Sequence, residues 1–329
     1  MRDSNWQKVL SSGFASSAEL LDFLNIPQHL AGIESEKQFK TRVPRGFAAR
    51  MQPGDPLDPL LLQVLAQAVE LDLAPGFSHD PLGELSVIQV PGLLHKYPGR
   101  VLLTISGVCA VNCRYCFRRH FPYQENNPGR KGWNAALDYI ADDISVREVI
   151  LSGGDPLIAS DNTLIEILDR LALISHVKTV RFHTRIPVVL PERIDASFLD
   201  AIQRCELQKV MVIHSNHAQE LDESVEAACR DLAAAGLVLL NQSVLLKGVN
   251  DQADVLAALS ERLFACGVLP YYLHLLDPVN GVSHFNLPNE QALEIFNELQ
   301  NLLPGYLVPR LVREHAGRKH KTLCIGPPE

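Results

Sequence analysis

Short apolar runs, rich in β-branched residues, alternate along most of the chain with longer stretches whose apolar residues recur at helical spacing. The short runs predict strands at 101–105, 149–151, 179–183, 209–213, 238–244 and 269–274, with a weaker one at 307–312. The longer stretches predict helices at 133–144, 162–174, 196–204, 218–235, 252–266 and 289–303. Asp251 is a suitable N-cap and Gly267 a suitable stop for the fifth of these helices.

This alternation predicts an α/β fold in which helices cover a parallel sheet. Six or seven βα units would close most of a barrel, and such barrels carry their chemistry on the loops at the carboxyl ends of the strands. The segment before the first strand differs, with helices predicted at 16–24 and 60–72 between turns rich in Pro, Gly and Asp. We therefore expect a helical N-terminal extension (1–94), a barrel core (95–318) and a short tail (319–329).

The composition narrows the class of protein. The chain has 329 residues, of which 47% are hydrophobic and 21% charged, so a sizeable core is expected. A formal net charge of −8 argues against nucleic acid or a membrane surface as the main partner. No apolar run is long enough to span a membrane, and the first ten residues lack the apolar centre of a leader. These features predict a cytoplasmic protein.

Three of the seven cysteines lie in one loop after the first barrel strand. Cys109, Cys113 and Cys116 have the spacing C-x3-C-x2-C. Iron–sulfur clusters are usually held by four thiolates, so three would leave one iron of a [4Fe–4S] cube open to a reactive ligand. His120 could instead complete a Cys3His zinc site, which would make the chain a non-enzymatic binding protein.

The other cysteines give no sign of a disulfide framework, because seven is a sparse and odd number for a chain of 329 residues. Cys205, Cys229 and Cys266 lie in apolar or helical stretches, which predicts buried, inert thiols.

Polar groups follow the second and third barrel strands. Gly153 and Gly154 would let the backbone approach a ligand closely, and Asp155 adds a carboxylate, although a plain turn explains the same residues equally well. Arg185, at the end of the third strand, could bind a carboxylate or a phosphate.

The cysteine loop and the glycine segment one βα unit later resemble those of the radical S-adenosylmethionine (SAM) enzymes, whose fold is a partial (βα)6-type barrel. The chain as a whole resembles the lysine 2,3-aminomutases, and the matching segments are 42–44, 55–59, 91–100, 109–119, 152–157, 184–191, 245–251, 271–285 and 308–322. The resemblance implies a [4Fe–4S] cluster on the three cysteines and SAM on the open iron. It also implies that Gly153, Gly154 and Asp155 contact the amino group of SAM.

The resemblance assigns a second cofactor, pyridoxal 5'-phosphate (PLP), to the C-terminal segment. Glu314 and Lys321 have the seven-residue separation of the family's acidic residue and its PLP lysine. The loop between them departs from the family's run of glycines, so Lys319 competes with Lys321 as the anchor. Lys96 and Arg100 are the expected partners of the PLP phosphate.

The resemblance also implies the substrate. Arg118 matches the arginine that binds the substrate carboxylate, and Asp277 and Glu314 match the two acidic residues that receive the ε-ammonium of L-lysine. Two buried carboxylates favour a cationic side chain and disfavour glutamate. An aminomutase acting on glutamate or another amino acid is the alternative.

The short segment after Lys321 resembles the branch of the family that makes (R)-β-lysine for attachment to translation elongation factor P. The implied partners are an elongation factor P lysyl ligase, elongation factor P itself and an electron donor. The sequence leaves open whether the chain forms a homo-oligomer.

Overall fold

A computed structural model of the chain describes residues 6–126 and 129–324. Its ten strands form one sheet in which each strand is hydrogen-bonded to the next strand along the chain. The strands are β1 (Ile88–Val90), β2 (Leu93–Tyr97), β3 (Arg100–Ser106), β4 (Glu148–Gly153), β5 (Thr179–Thr184), β6 (Gln208–His214), β7 (Val238–Val244), β8 (Leu269–His274), β9 (Arg310–Arg313) and β10 (Thr322–Leu323). Strands β3 to β9 are parallel. Antiparallel pairs extend the sheet at both edges.

Helices connect the parallel strands, as the alternating pattern predicts. The short helices are α1 (Trp6–Ser11), α2 (Ser17–Phe23), α3 (Ile33–Gln38), α4 (Arg45–Ala48), α5 (Pro59–Leu62), α6 (Tyr123–Asn126) and α9 (Ile186–Val189). The longer ones are α7 (Gly129–Asp142), α8 (Asp161–Ala172), α10 (Ala196–Arg204), α11 (Glu223–Ala234), α12 (Ala253–Ala265) and α13 (Asn289–Leu302). The described part of the chain contains no helix long and apolar enough to cross a membrane.

The register of the sheet builds the core and fixes the position of the site. Leu103, Leu151, Phe182, Met211 and Leu239 lie side by side on five neighbouring strands, and all are buried in the main apolar core with the covering helices. Because side chains alternate along a strand, the residues directly before and after these five face the inside of the curved sheet. The loops after the parallel strands all leave from the same edge.

The sheet curls until its two edges approach each other. Lys96 of β2 and Glu314, which follows β9, are in contact, with Nζ 2.5 Å from Oε1. Ser78, ahead of the sheet, donates its N–H to the carbonyl of Pro278 at 3.0 Å, and Asn280 returns a bond of 2.9 Å to the carbonyl of Ser78. The N-terminal segment therefore closes against the loop that follows β8.

Three local predictions are wrong. The helix predicted at 218–235 is instead a 3-10 turn at Ala218–Glu220 followed by α11. The helix predicted at 60–72 is instead α5 followed by a 3-10 turn at Ala68–Leu71, because Gln67 and Glu70 cap that turn with reciprocal hydrogen bonds. The N-cap position of helix α12 is Gln252 rather than Asp251, and the Gln252 side chain makes no capping hydrogen bond. Gly267 does stop that helix, in the left-handed conformation (φ +75) that suits glycine.

The division at 94/95 falls inside β2, because the sheet begins earlier, at Ile88. The N-terminal extension is therefore not wholly helical, since β1 and the first two residues of β2 extend the barrel sheet by antiparallel pairing. The tail also contributes a strand, β10. Residues 1–5 of the extension and 325–329 of the tail lie outside the described residues.

Candidate active site

The cysteine loop follows β3 at the carboxyl edge of the sheet, as predicted. Burial raises the pKa of the Cys109 thiol, and the neighbouring Cys116 and Cys113 raise it further. Burial, followed by the nearby Cys113, raises the pKa of Cys116 to about 11. The three sulfurs are therefore close enough to repel one another as thiolates, and a bound metal centre would relieve that repulsion. This donor set suits an iron–sulfur cluster.

Two buried arginines hold the cysteine loop in place. Arg114, between Cys113 and Cys116, makes a bidentate pair with Glu70 at 2.9 and 2.5 Å and also donates to the carbonyl of Phe39. Arg119 donates to the same carboxylate at 2.8 Å and to the carbonyl of Gly281 at 2.9 Å. The loop is thus fixed both to the N-terminal extension and to the loop after β8.

Arg185 is engaged by protein groups. One terminal nitrogen, Nη1, donates to the sulfur of Cys113 at 2.7 Å. The other, Nη2, donates to Gln63 at 2.6 Å and to Glu220 at 2.9 Å. The guanidinium is therefore directed at the cysteine loop and at the carboxylate of Glu220. Its binding of a cofactor carboxylate or phosphate stays a prediction.

The glycine pair at the end of β4 packs against the start of the cysteine loop. A Cβ on Gly153 (φ +118) would lie 2.4 Å from the carbonyl oxygen of Ser106, and one on Gly154 would lie 2.5 Å from that of Val108. Asp155 donates its N–H to the same Val108 carbonyl at 2.9 Å. No side chain fits at either glycine, because the start of the cysteine loop lies directly on their backbone.

The carboxylate of Asp155 joins two neighbouring loops. It accepts hydrogen bonds from the backbone N–H of Leu157 at 3.0 Å, the hydroxyl of Thr184 at 2.7 Å and the backbone N–H of Arg185 at 2.8 Å. Both oxygens are engaged inside the protein, so its effect on the site is to orient the loop that carries Arg185. Direct contact with SAM stays a prediction.

The geometry does not support a zinc site at His120. Its Nε2 donates to the carbonyl of Asn280 at 3.1 Å, and its ring stacks on His79 with centroids 4.3 Å apart. Within residues 6–126 and 129–324, no group of three or more His, Cys, Asp or Glu side chains is arranged around a single metal ion. A cubane differs in this respect, because each cysteine binds a different iron.

At the opposite edge of the sheet, the predicted PLP lysine meets its acidic partner. Lys321 Nζ lies 2.5 Å from Glu314 Oε2, and it also lies 5.8 Å from the centre of the Tyr272 ring. Burial raises the pKa of Glu314, but Lys321 and Lys96 outweigh it and hold that pKa well below its usual range. Lys319, the competing anchor, is an exposed loop residue.

Asp277 is a half-buried acid with one buried, unpaired oxygen. Its Oδ1 accepts no hydrogen bond from any residue that the structure describes. Burial, followed by repulsion from Glu314, raises the pKa of Asp277 to about 7. Lys321 and Lys96 are close enough to oppose that shift. A cationic ligand here would relieve both the burial and the repulsion.

Arg118 is paired with a residue that the sequence pattern does not identify. Its Nε and Nη2 donate to Glu84 at 2.7 and 2.6 Å, and its Nη1 donates to the hydroxyl of Ser152 at 3.2 Å. Glu84 begins a 3-10 turn ahead of β1. Only the closure of the N-terminal segment over the sheet brings it to Arg118.

Three imidazoles line the inner face of the sheet. They are His183, His214 and His274, each next in its strand to a residue that points into the core. The Nε2 atom of each ring has no partner among the described residues. Burial lowers their pKa values, that of His214 to about 3, so the rings are neutral. Among the described residues, Arg100 Nε is likewise buried and unpaired. Buried polar atoms are nearly always paired, so this group marks space for a polar ligand.

Comparison with known proteins agrees with this geometry. Residues 103–259 match the model of the radical SAM superfamily. The L-lysine 2,3-aminomutase of Haemophilus influenzae is 49% identical over 98% of this chain and 96% of its own. That of Escherichia coli is 49% identical over 97% of this chain and 94% of its own. A radical SAM methyltransferase structure from Sphaerobacter thermophilus has a TM-score of 0.45 at 18% identity, covering 67% of this chain and 68% of that one.

These relatives match the chain from end to end, and the matched superfamily segment contains the cysteine loop and strands β4 to β7. The predicted fold class and the resemblance are both confirmed. The chain belongs to the L-lysine 2,3-aminomutase family, radical SAM isomerases that use a [4Fe–4S] cluster, SAM and PLP.

Proposed function

We propose that this enzyme moves the α-amino group of L-lysine to the β-carbon and releases (R)-β-lysine. The observation that carries the proposal is the buried, unpaired Oδ1 of Asp277, close to the charges of Glu314 and Lys321. This oxygen is free to accept hydrogen bonds from a cation, and Arg118 in the same site can bind an anion. An amino acid with a carboxylate at one end and an ammonium at the other matches both groups.

In this proposal Cys109, Cys113 and Cys116 hold the cluster, and Gly153 and Gly154 support their loop by close backbone contact. When bound, the cluster and SAM supply a radical able to remove hydrogen from an unactivated carbon, and PLP holds the migrating amino group. The chain supplies position, charge and exclusion of water.

Lys321 is the PLP anchor, with Lys96 and Arg100 as partners of the phosphate. Before PLP binds, Glu314 is neutralised by both Lys321 and Lys96. Bound PLP would engage the amine of Lys321, and its phosphate would attract Lys96, so both cations would be drawn away from Glu314. Glu314 and Asp277 would then lack a cation, and the ε-ammonium of lysine supplies one. A glutamate side chain would add a third negative charge, which argues against that substrate.

Arg118 binds the substrate carboxylate. Glu84 occupies the edge of the guanidinium formed by Nε and Nη2. The end formed by the two terminal nitrogens can still take a second carboxylate, with Nη1 shared with Ser152. Glu84 therefore fixes the plane of the arginine and leaves its outer end for the ligand.

The proposed destination of the product is elongation factor P, through a lysyl ligase that attaches β-lysine to it. The family resemblance supports this role, which also needs a low-potential electron donor. The reaction belongs in the cytoplasm, where thiols stay reduced.

The test is anaerobic incubation of the reconstituted enzyme with SAM, PLP, a reductant and isotope-labelled L-lysine or L-glutamate, followed by chiral analysis. We expect labelled (R)-β-lysine and no β-glutamate, and Lys321→Ala should give neither. β-Glutamate without β-lysine would contradict the proposed substrate. Adding the ligase and elongation factor P should then yield a β-lysylated factor by mass spectrometry, and its absence would contradict the proposed destination alone.

A further inference from the structure

We propose that Arg185 sets the reduction potential of the cluster by donating a charged hydrogen bond to the Cys113 sulfur. The inference rests on the proposed binding of the cluster by the three cysteines. It assigns Arg185 a positioning and electrostatic role toward the metal centre, different from the carboxylate or phosphate binding that its residue type suggests.

The contact itself is short and partly buried. Arg185 Nη1 lies 2.7 Å from Cys113 Sγ, and the arginine is only 5% exposed. An arginine keeps its positive charge at every physiological pH. Because the guanidinium is buried and Cys113 is only partly exposed, screening by solvent weakens the contact less than it would at the surface.

The other contacts of the guanidinium keep its Nη1 atom directed at the sulfur. Gln63 and Glu220 both accept from Nη2, the nitrogen that does not contact the thiol. The rings of Phe47 and Tyr115 lie 5.4 and 5.6 Å from the guanidinium carbon. Two partners on one nitrogen and two aromatic neighbours leave the arginine a single orientation.

Glu220 does not cancel this effect, because its carboxylate is shared among several donors. Besides Arg185, it accepts the backbone N–H groups of Asn216 at 2.8 Å and His217 at 3.1 Å, and the side-chain amide of Gln63 at 3.1 Å. The carboxylate contacts Nη2 and the sulfur contacts Nη1, so the two acceptors do not compete for one donor. The sulfur is therefore closer to the guanidinium charge than to the carboxylate charge.

The direction of the effect follows from the charge change. Reduction transfers one electron from a low-potential donor to the cluster, so the cluster and its cysteinates gain one negative charge. A cation and an N–H···S bond stabilise the more negative state more strongly, and hydrogen bonds to the sulfurs are a known control of cluster potential. Arg185 therefore raises the potential and makes the electron easier to accept.

The test is the midpoint potential of the [4Fe–4S] cluster in the reconstituted enzyme without SAM, measured by an anaerobic dithionite titration followed by electron paramagnetic resonance. The double variant Arg185→Gln with Glu220→Gln avoids leaving a buried carboxylate unpaired. We expect the equilibrium constant for reduction to fall about tenfold, equivalent to about 59 mV for one electron. Arg181→Gln is the matched control, because Arg181 lies in β5, four positions before Arg185, and pairs with Glu148 at 3.0 Å. Its potential should equal that of the unmodified enzyme.

An unchanged potential in a double variant that holds a full cluster would overturn the inference. If the double variant fails to hold a cluster, the single variant Arg185→Gln decides, because Glu220 still accepts three other hydrogen bonds in it: a lowered potential supports the inference and an unchanged one contradicts it. Absence of iron and sulfide from the unmodified enzyme would instead refute the proposed cluster site. The two failures are thus distinguishable.

Discussion

Glu314 lies opposite Lys321 across the hairpin formed by β9 and β10, with Oε2 of the acid 2.5 Å from Nζ of the lysine. The register of that hairpin pairs Thr322 with Arg313, so the next pair outward is Lys321 with Glu314. The separation of seven positions seen in the sequence is therefore set by the loop 315–320, which closes this antiparallel pair. The hairpin holds the amine inside the site while the loop itself is exposed.

Replacing Lys321 by Ala should abolish covalent binding of PLP. The structure places this amine beside Glu314 and Tyr272 inside the site. Borohydride trapping followed by peptide mapping should find the pyridoxyl label on Lys321 in the unmodified enzyme and no label in the variant. Lys319→Ala is the matched control and should keep full labelling, because its side chain is exposed. Label on Lys319 in the unmodified enzyme would contradict the assignment.

Replacing Asp277 by Asn should stabilise the lysine-free protein at alkaline pH. The acid has a pKa of about 7 against an ordinary 3.8, so between these values the native state holds a proton that the unfolded chain has released. Stability therefore falls as pH rises from about 4 to about 7, by on the order of 4 kcal/mol. Asparagine cannot ionise and should avoid this loss.

Anaerobic thermal unfolding at pH 5 and pH 8 measures the effect. The variant should be clearly more stable than the unmodified protein at pH 8 and only slightly more stable at pH 5. Lysine should stabilise the unmodified protein more than the variant, because only the former offers a second carboxylate to the ε-ammonium. A variant that is less stable at pH 8 would refute the raised pKa.

Much of the fold could be predicted from the hydrophobic pattern, and the reason is burial. Strands β7 and β8 have the predicted bounds, since buried parallel strands form apolar runs that turns interrupt. The pairs that build the site could not be predicted in this way. Arg118 meets Glu84 at a separation of 34 positions, and Arg185 meets Cys113 at a separation of 72. Such contacts depend on how far the sheet curls, which no local pattern records.

Replacing Arg118 by Gln should raise the KM for lysine by about tenfold to hundredfold, the usual worth of a charge-assisted bond. Lysinamide, which carries no carboxylate, is the matched probe. The enzyme should discriminate strongly between the two compounds, and the variant should not. Equal discrimination by both proteins would show that another group receives the carboxylate.

Replacing any one of Cys109, Cys113 and Cys116 by Ala should remove most of the iron and acid-labile sulfide from reconstituted protein, because each thiolate holds a separate iron. Cys324→Ala is the control, since this partly buried thiol directly follows β10 and lies outside the cysteine loop. It should retain a full cluster. Iron and sulfide that survive the loss of a loop cysteine would contradict the ligand assignment.

The most direct test of the account follows deuterium from the β-carbon of lysine during anaerobic turnover with SAM. If the cysteine loop and Lys321 serve one substrate at one barrel mouth, deuterium should be recovered in 5′-deoxyadenosine and at the α-carbon of β-lysine, and Lys321→Ala should show neither. Formation of β-lysine with no deuterium in 5′-deoxyadenosine or SAM would contradict it.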